Sequence, residues 1–209
     1  MLRILIADDH SVVRRGIRDI LKEAYPFAEI VEVEDAETLV QKVIQSTWDL
    51  AISDISMRGR SGLEALAQIR EVVPDLPVLI LSVYPEEQYA VRVLRAGAAG
   101  YLNKDLAPEE LVRAVRTVLG GRKYITARAA ENLLTSVQQV DGRPPHEMLS
   151  DREFEVFKML AAGVTISDIA NRLMLSATTI STYRARVLTK MKFASNAELV
   201  RYAISHGLL

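Results

Sequence analysis

The sequence predicts an α/β domain built on a doubly wound, five-stranded parallel sheet, followed by a second, smaller all-α domain that contains a helix-turn-helix. Two observations lead to this fold class. Five short apolar runs alternate with five segments of helical periodicity over roughly the first 120 residues, a pattern typical of parallel sheets covered by helices on both faces. Beyond Leu149 only helical patterns remain.

The predicted strands are short and rich in Ile, Leu and Val, and the segments between them carry apolar residues at three- and four-residue spacing. The strands are "LRILIA" (2–7), "EIVEV" (29–33), "LAISD" (50–54), "PVLILS" (77–82) and "GYLN" (100–103). The helices are predicted over 11–24, 36–46, 62–73, 86–96 and 108–119. In such a sheet the carboxyl ends of the parallel strands surround the ligand-binding crevice.

A polar stretch between the two patterned regions predicts an interdomain linker. The alternation stops after "LGGRKY" (119–124), and "QQVDGRPPHE" (138–147) contains a glycine and two prolines, which do not continue a helix. A further helix is predicted over 127–138. The predicted division is a first domain over 1–121, a linker over 122–147 and a second domain over 148–209.

The first helix after the linker has clear start chemistry. Ser150 can accept from the backbone of Glu153 while the Glu153 side chain reaches back, which is a capping box, and Leu149 can pack on Phe154 as a hydrophobic staple. The sequence "TISD" (165–168) repeats the capping device less perfectly. Both helices are therefore expected to begin at these residues.

Two further helices complete the second domain. One begins after Ser176 and runs to about Lys192, and the other runs from Asn196 to near His206. The short turn "LMLS" (173–176) joins the former to the helix before it. This arrangement is a helix-turn-helix within a small bundle.

The composition indicates a globular protein whose two parts differ in charge. The chain has 209 residues, 49% of them hydrophobic and 25% charged, with a formal net charge of −1. Residues 1–142 carry 17 basic and 21 acidic side chains, whereas residues 143–209 carry 9 and 6. A basic domain behind an acidic one indicates a polyanion as the partner of the second domain.

The sequence also argues against several classes of protein. With no cysteine, disulfides and cysteine metal sites are excluded. The apolar stretch "LPVLILSVYP" (76–85) is far shorter than the ~20 residues of a membrane span. The first residues, "MLRILIADD", contain the acidic residues Asp8 and Asp9 and no long apolar core, so no secretory signal is expected. We therefore expect a cytoplasmic protein without a membrane partner.

Polar side chains stand at the carboxyl ends of four of the predicted strands. They are Asp8, Asp9, Asp54, Ser82 and Lys104. Three clustered carboxylates repel, and a divalent cation that prefers oxygen ligands, Mg²⁺ or Mn²⁺, would relieve the repulsion. A lysine and a hydroxyl nearby suit a phosphoryl group. The set predicts that Asp54, on the central strand, accepts a phosphoryl group as an acyl phosphate.

These positions resemble the site of a response-regulator receiver domain, and the resemblance spans residues 1 to about 120. The matching residues are Asp8, Asp9, Asp54, Ser82, Tyr101 and Lys104. The resemblance implies that a sensor histidine kinase phosphorylates Asp54. It implies that Asp9, Asp54 and the backbone carbonyl of Ser56 bind Mg²⁺, assisted by Asp8. It further implies that Lys104 contacts the phosphoryl oxygens while Ser82 and Tyr101 relay the change.

The sequence departs from this family at two places. Arg58 stands where the family commonly has proline, and Asp105 rather than proline follows Lys104, which removes the usual reason to expect a cis peptide bond there. Ser56 and Tyr84 lie two residues after Asp54 and Ser82. We hypothesise that they flank the phosphoryl group and set its lifetime by controlling the access of water.

The segment "SATTISTYRARVLTKMK" (176–192) has one apolar helical face, which is expected to pack on the bundle. The opposite face has small side chains edged with cations, and such a surface fits the major groove of double-stranded DNA. The predicted DNA contacts are Thr178, Ser181, Thr182, Arg184, Ala185, Arg186, Thr189, Lys190 and Lys192. Arg184 lies at the edge of the apolar face, with its head directed outward. A solvated face without a ligand is the alternative.

The run from Leu149 to Met191 resembles a LuxR-type helix-turn-helix of the NarL/FixJ family. The matching residues are Leu149, Ser150, Glu153, Gly163, Ile169, Ala170, Leu173, Thr179 and Ile180. Many members have lysine and histidine where Ser181 and Tyr183 stand, so a base preference is not carried over. The last helix has an apolar stripe of Leu199, Tyr202 and Ala203. Part of this stripe is expected to cover the bundle core, and the resemblance implies that part also pairs two copies on DNA.

The prediction is therefore a two-component response regulator of the NarL/FixJ family, in which phosphorylation of Asp54 controls dimerisation and DNA binding. Its only chemistry would be phosphoryl transfer to and from Asp54. One alternative is a Mg²⁺-dependent phosphohydrolase, which would need a carboxylate where Ser56 stands. The other is a DNA-binding protein whose first domain dimerises without phosphorylation.

Overall fold

The computed structural model describes residues 1–105, 108–126, 129–131 and 144–209. The chain divides into two compact units, Met1–Thr135 and Ser136–Leu209. Most of the predicted helix over 127–138, and of the predicted linker stretch over 138–147, lies outside the described residues. The described part of that helix, 129–131, is helical.

The first unit contains the predicted five-stranded sheet. The strands are β1 (Arg3–Ala7), β2 (Glu29–Val33), β3 (Leu50–Asp54), β4 (Val78–Ser82) and β5 (Gly100–Asn103). Their order is β2-β1-β3-β4-β5, and every pair is parallel. The register places Ile52 beside Ile6 and Leu79, and Ile80 beside Tyr101. The order reverses direction between β1 and β3, which is where doubly wound sheets bind ligands.

Four helices connect these strands, and a fifth follows β5. They are α1 (Ser11–Ala24), α2 (Ala36–Gln45), α3 (Gly62–Val72), α4 (Glu86–Arg95) and α5 (Pro108–Leu119). All residues of β3 and β4 are buried, as expected for strands covered on both faces. Ser61 and Glu64 form a capping box at the start of α3, which fixes the residue at which this helix begins after β3.

The core of the first unit continues past the end of α5. Tyr124 is 7% exposed and belongs to the same apolar cluster as the central strands. Its N–H donates to the Ala99 carbonyl at 2.9 Å, and its carbonyl accepts the N–H of Tyr101 at 3.3 Å. The segment after α5 therefore hydrogen-bonds to β5 along its outer side.

The second unit is helical, as predicted. A 3-10 helix (Pro145–Met148) precedes α6 (Asp151–Ala161), α7 (Ile166–Leu173), α8 (Ala177–Met191) and α9 (Asn196–Ser205). The predicted capping box is present: Ser150 Oγ accepts from Glu153 N at 3.3 Å, and Glu153 Oε2 accepts from Ser150 N at 2.7 Å. Met174, with φ of 53°, ends α7 in the left-handed region and turns the chain into α8.

In the described ranges, no helix has the length and the apolar character that crossing a lipid bilayer requires.

Candidate functional site

The carboxyl ends of β1 and β3 bring three carboxylates together. Asp8 and Asp9 follow β1, and Asp54 ends β3, next to it in the sheet. One ligand atom of each, together with one of His10, lies within 4.8 Å of the others. Asp8 is 1% exposed and Asp54 4% exposed, so this negative charge lies largely out of reach of water.

Lys104 supplies the opposite charge. Its Nζ lies 2.6 Å from Asp8 Oδ2 and 2.7 Å from Asp54 Oδ2. Its backbone N–H donates to the Ser82 carbonyl at 2.9 Å, which continues the ladder between β4 and β5 by one residue. The predicted strand-end lysine therefore bridges the two buried carboxylates.

The buried charged groups shift one another's pKa values. Burial raises the pKa of Asp54 to about 6, with Lys104 opposing the shift and the Asp8 carboxylate adding to it. The N–H of Ser56 also opposes it, by donating a hydrogen bond to Asp54. Burial would lower the pKa of Lys104, but Asp54 and Asp8 outweigh burial and raise it. At neutral pH the site therefore holds an ionised Asp54 at a cost in desolvation energy.

His10 is a member of the cluster that sequence reasoning missed. Its Nδ1 lies 2.7 Å from Asp9 Oδ1 and 3.3 Å from Asp8 Oδ1, and its backbone N–H donates to Asp8 Oδ1 at 2.8 Å. Arg58, predicted as a departure from the family pattern, lies with Nε 3.7 Å from Asp9 Oδ2. The only sequence signal for His10 is its place directly after the two aspartates.

Ser56, two residues after Asp54, contacts Tyr84. The Ser56 hydroxyl donates to the Tyr84 hydroxyl at 3.2 Å, and the Tyr84 ring stacks on Tyr89 with centroids 4.6 Å apart. The N–H of Tyr84 donates to Ser82 Oγ at 3.2 Å. The two residues expected to flank a phosphoryl group are thus in contact with each other.

Tyr101 is buried and contacts the loop that follows β4. Its hydroxyl donates to the Tyr84 carbonyl at 2.6 Å, and burial raises its pKa above the usual range, with the Ser82 hydroxyl opposing. Asn103, which sequence reasoning missed, donates from Nδ2 to the same carbonyl at 3.2 Å and accepts Asp105 N–H at Oδ1 at 2.8 Å. The Asn103 amide therefore ties the strand that carries Lys104 to the Tyr84 backbone.

The acidic residues fit a divalent cation. Asp8 Oδ2 and Asp9 Oδ1 are buried, with Lys104 Nζ 2.6 Å from the former and His10 Nδ1 2.7 Å from the latter. A carboxylate has about four lone-pair sites, so each group can bind a cation beside these contacts. Carboxylate oxygens are the donors that Mg²⁺ and Mn²⁺ prefer. The structure places the N–H of Ser56 against Asp54, and the predicted role of its carbonyl remains a prediction.

In the second unit, α8 presents the predicted small-residue face to solvent. The exposed members are Thr178, Ser181, Thr182, Ala185, Arg186, Thr189, Lys190 and Lys192. On the other side Ile180, Val187 and Met191 are buried. Leu199 and Ala203 of α9 are buried as well, so these two members of the apolar stripe cover the bundle core, as predicted for part of it.

Two of the predicted DNA-contacting cations bind within the bundle. Arg184 is half-buried and its Nε donates to Asn196 Oδ1 at 2.8 Å. Lys190 Nζ lies 2.6 Å from Glu153 Oε2. Burial would raise the pKa of Glu153, but hydrogen bonds from Lys190 and Ser150 lower it. These cations tie α8 to α9 and α6.

The comparisons with known families match both units. Residues 4–116 match the response regulator receiver domain, and residues 147–203 match the bacterial regulatory proteins of the luxR family. The chain belongs to the response regulator family. It combines a receiver domain with a LuxR-type DNA-binding domain, as the sequence predicts.

Curated relatives match this response regulator along its whole length. "Response regulator UvrY" of Escherichia coli strain K12 is 35% identical over 209 residues, covering 100% of this chain and 96% of UvrY. "Oxygen regulatory protein NreC" of Staphylococcus haemolyticus is 36% identical over 215 residues, covering 100% and 99%.

Solved structures of RcsB resemble this response regulator across both units. RcsB of Salmonella enterica serovar Typhimurium, bound to promoter rprA in the presence of the phosphomimetic BeF3−, has a TM-score of 0.61, 26% sequence identity and coverage of 98% of this chain and 100% of RcsB. A second structure holds two RcsB dimers on two parallel DNAs, with a TM-score of 0.59, 26% identity and 98% coverage of both chains.

Proposed function

We propose that Asp54 of this response regulator is the phosphoacceptor for a sensor histidine kinase, and that its phosphorylation controls dimerisation and DNA binding. The observation that carries the proposal is the contact of the buried Asp54 carboxylate with Lys104 Nζ at 2.7 Å. With a pKa of about 6, Asp54 is ionised at neutral pH, and it ends the central strand β3 beside Asp8 and Asp9. A nucleophile and a cation for the incoming phosphoryl oxygens are thus adjacent.

The transfer proceeds by attack of an Asp54 carboxylate oxygen on the phosphorus of the kinase's phosphohistidine. A new O–P bond forms as the N–P bond breaks, and the imidazole nitrogen leaves with the electron pair and takes up a proton. Asp8, Asp9, Asp54 and the Ser56 carbonyl would hold Mg²⁺ or Mn²⁺, which when bound neutralises the charge that develops on the phosphoryl oxygens. Lys104 contacts one of those oxygens. Hydrolysis of the acyl phosphate later returns Asp54 to its free state.

Ser82 and Tyr101 transmit the phosphorylation of Asp54 to the rest of the receiver through their hydrogen bonds to Tyr84. Ser82 Oγ accepts the Tyr84 N–H at 3.2 Å in this structure. When the Ser82 side chain rotates so that its hydroxyl donates to a phosphoryl oxygen, Oγ moves away from the Tyr84 N–H, and the Tyr84 backbone that Tyr101 holds must adjust. The receiver thus shifts between two states, and the phosphoryl group selects one of them.

The output is regulation of transcription through double-stranded DNA. The exposed small-residue face of α8 and the helix-turn-helix support insertion into a major groove. RcsB, which resembles this chain in both units, has been solved on DNA as a dimer, and we extend both properties to this chain when it is phosphorylated. Because the proposed target is DNA, we also propose a cytoplasmic location.

The test uses the full chain. We would treat it with a small-molecule phosphodonor and Mg²⁺, then measure its mass, its size in solution and its retention of DNA, with Asp54→Ala as control. The expected result is one added phosphoryl group, a dimer and tighter DNA binding, all absent from the variant. A wild-type chain that takes up no phosphate would refute the proposal.

The phosphohydrolase alternative is not favoured. The position where it needs a general acid–base carboxylate holds Ser56, whose hydroxyl is bound to Tyr84. The chain therefore acts on its own aspartate and serves as a regulator.

A further inference from the structure

The hydroxyl of Thr126 is bound to the carboxylate of Glu86, 40 residues earlier in the chain. Thr126 Oγ1 donates to Glu86 Oε2 at 2.9 Å, and Thr126 N–H lies 3.4 Å from Glu86 Oε1. Both residues belong to the first unit. One side chain of the receiver therefore holds the segment after α5 through two donors, one of them at the distance of a charge-assisted hydrogen bond.

Thr126 lies three residues before the helical segment described at 129–131. Its Oγ1 accepts the N–H of Ala129 at 3.2 Å, and its carbonyl accepts the N–H of Ala130 at 3.0 Å. A hydroxyl that accepts from the N–H three residues on is the geometry of a helix N-cap. Thr126 thus caps the helix at 129–131 and binds Glu86 with the same oxygen.

Glu86 stands next to the loop that senses the phosphoacceptor site. It is the first residue of α4, and only Pro85 separates it from Tyr84. The Tyr84 N–H is bound to Ser82 Oγ, and the Tyr84 carbonyl to the Tyr101 hydroxyl. The Glu86 carboxylate also lies in the first turn of α4, where a negative charge is stabilised.

We propose that Glu86 and Thr126 are positioning residues that couple phosphorylation of Asp54 to the segment joining the two domains. The coupling rests on the proposed function. A hydrogen bond weakens steeply beyond ~3.2 Å, so a displacement of the Ser82–Tyr84 loop that carries Glu86 with it either moves Thr126 or breaks its bond to Glu86. In both cases the cap of the helix at 129–131 changes with the state of the receiver.

The test compares Glu86→Ala and Thr126→Val with the wild-type full-length chain. Each is phosphorylated with a small-molecule phosphodonor and Mg²⁺, and phosphate uptake is followed by mass. Two responses to phosphorylation are then measured: amide hydrogen exchange in peptides covering 126–131, and affinity for a duplex that the phosphorylated wild-type chain selects from a random-sequence pool. We expect normal uptake, loss of the exchange response and a roughly 5- to 10-fold smaller change in DNA affinity.

Rescue and control variants separate coupling from damage to the fold. Thr126→Ser keeps the hydroxyl and Glu86→Gln keeps an acceptor, so both should retain most of the response. Glu37→Ala removes an exposed first-turn acid of α2 and should leave it unchanged. Full responses in Glu86→Ala and Thr126→Val despite normal uptake would overturn the coupling alone. Failure of the wild-type chain to take up phosphate would overturn the proposed function and the coupling with it.

Discussion

The backbone carbonyl of Asp54 lies so close to Gly62 that a β-carbon added to the glycine would be 1.8 Å from the carbonyl oxygen. The Ser53 hydroxyl donates to the same oxygen at 3.0 Å, and Gly62 N–H donates to the Ile55 carbonyl at 2.8 Å. The first turn of α3 therefore packs directly against the backbone of Asp54, the proposed phosphoacceptor.

Gly62→Ala should disturb both stability and phosphate uptake. The neighbouring atom is backbone, which cannot rotate away, so β3 or α3 must move at a cost of about 1–3 kcal/mol in the free energy of unfolding. Urea unfolding and the rate of phosphorylation by a phosphodonor measure the two effects. Gly16→Ala is the matched control: no atom lies within 4 Å of its added β-carbon, and it should gain up to ~1 kcal/mol. Equal stability of the two variants would contradict this.

Asp54 should destabilise the metal-free fold at neutral pH. Its pKa of about 6 lies above the unfolded value of ~3.9, so the folded state binds a proton more tightly and stability rises as pH falls from above 6 toward 4. With a chelator present, Asp54→Asn should add about 2–3 kcal/mol to the free energy of unfolding at ~pH 7 and little near pH 4. Urea titrations across this range test it, and a gain independent of pH would argue against it.

The bond between Ser56 and Tyr84 should lengthen the life of the acyl phosphate. Tyr84→Phe removes the hydroxyl that accepts from Ser56 while keeping the ring that stacks on Tyr89. We expect hydrolysis to accelerate severalfold, because water reaches Asp54 more readily. Loss of radioactive phosphate from the purified phosphoprotein gives the rate, and Ser56→Ala should match it. Unchanged rates in both variants would remove this role.

Arg186 and Arg184 should differ in their contribution to DNA affinity. Arg186 is exposed on α8, whereas Arg184 donates to Asn196 inside the bundle. Arg186→Ala should reduce the slope of log affinity against log salt by about 0.9, the value for one lost phosphate contact. Arg184→Ala should leave the slope near the wild-type value and lower the melting temperature. The reverse pattern would restore Arg184 to its predicted place at the phosphates.

The features that the sequence predicts correctly depend on residues close together in the chain. The Ser150–Glu153 capping box involves residues three apart, and the strand-end aspartates follow from an alternation written in the chain. The contacts that sequence reasoning missed join distant residues, as Asn103 does with Tyr84 and Glu86 with Thr126. Tertiary packing determines which residues distant in the sequence come into contact. The hydrophobic periodicity of the sequence does not predict these contacts.

The pairing of Tyr124 with β5 bears on how this protein can be dissected. A fragment ending at Gly121, where the sequence places the domain boundary, would lose the tyrosine that fills part of the receiver core and would leave the Tyr101 N–H facing water. It would also lose Thr126, the partner of Glu86. An isolated receiver intended for crystallisation or spectroscopy should therefore extend at least through Glu131, and the shorter fragment should be the less soluble and the more easily proteolysed of the two.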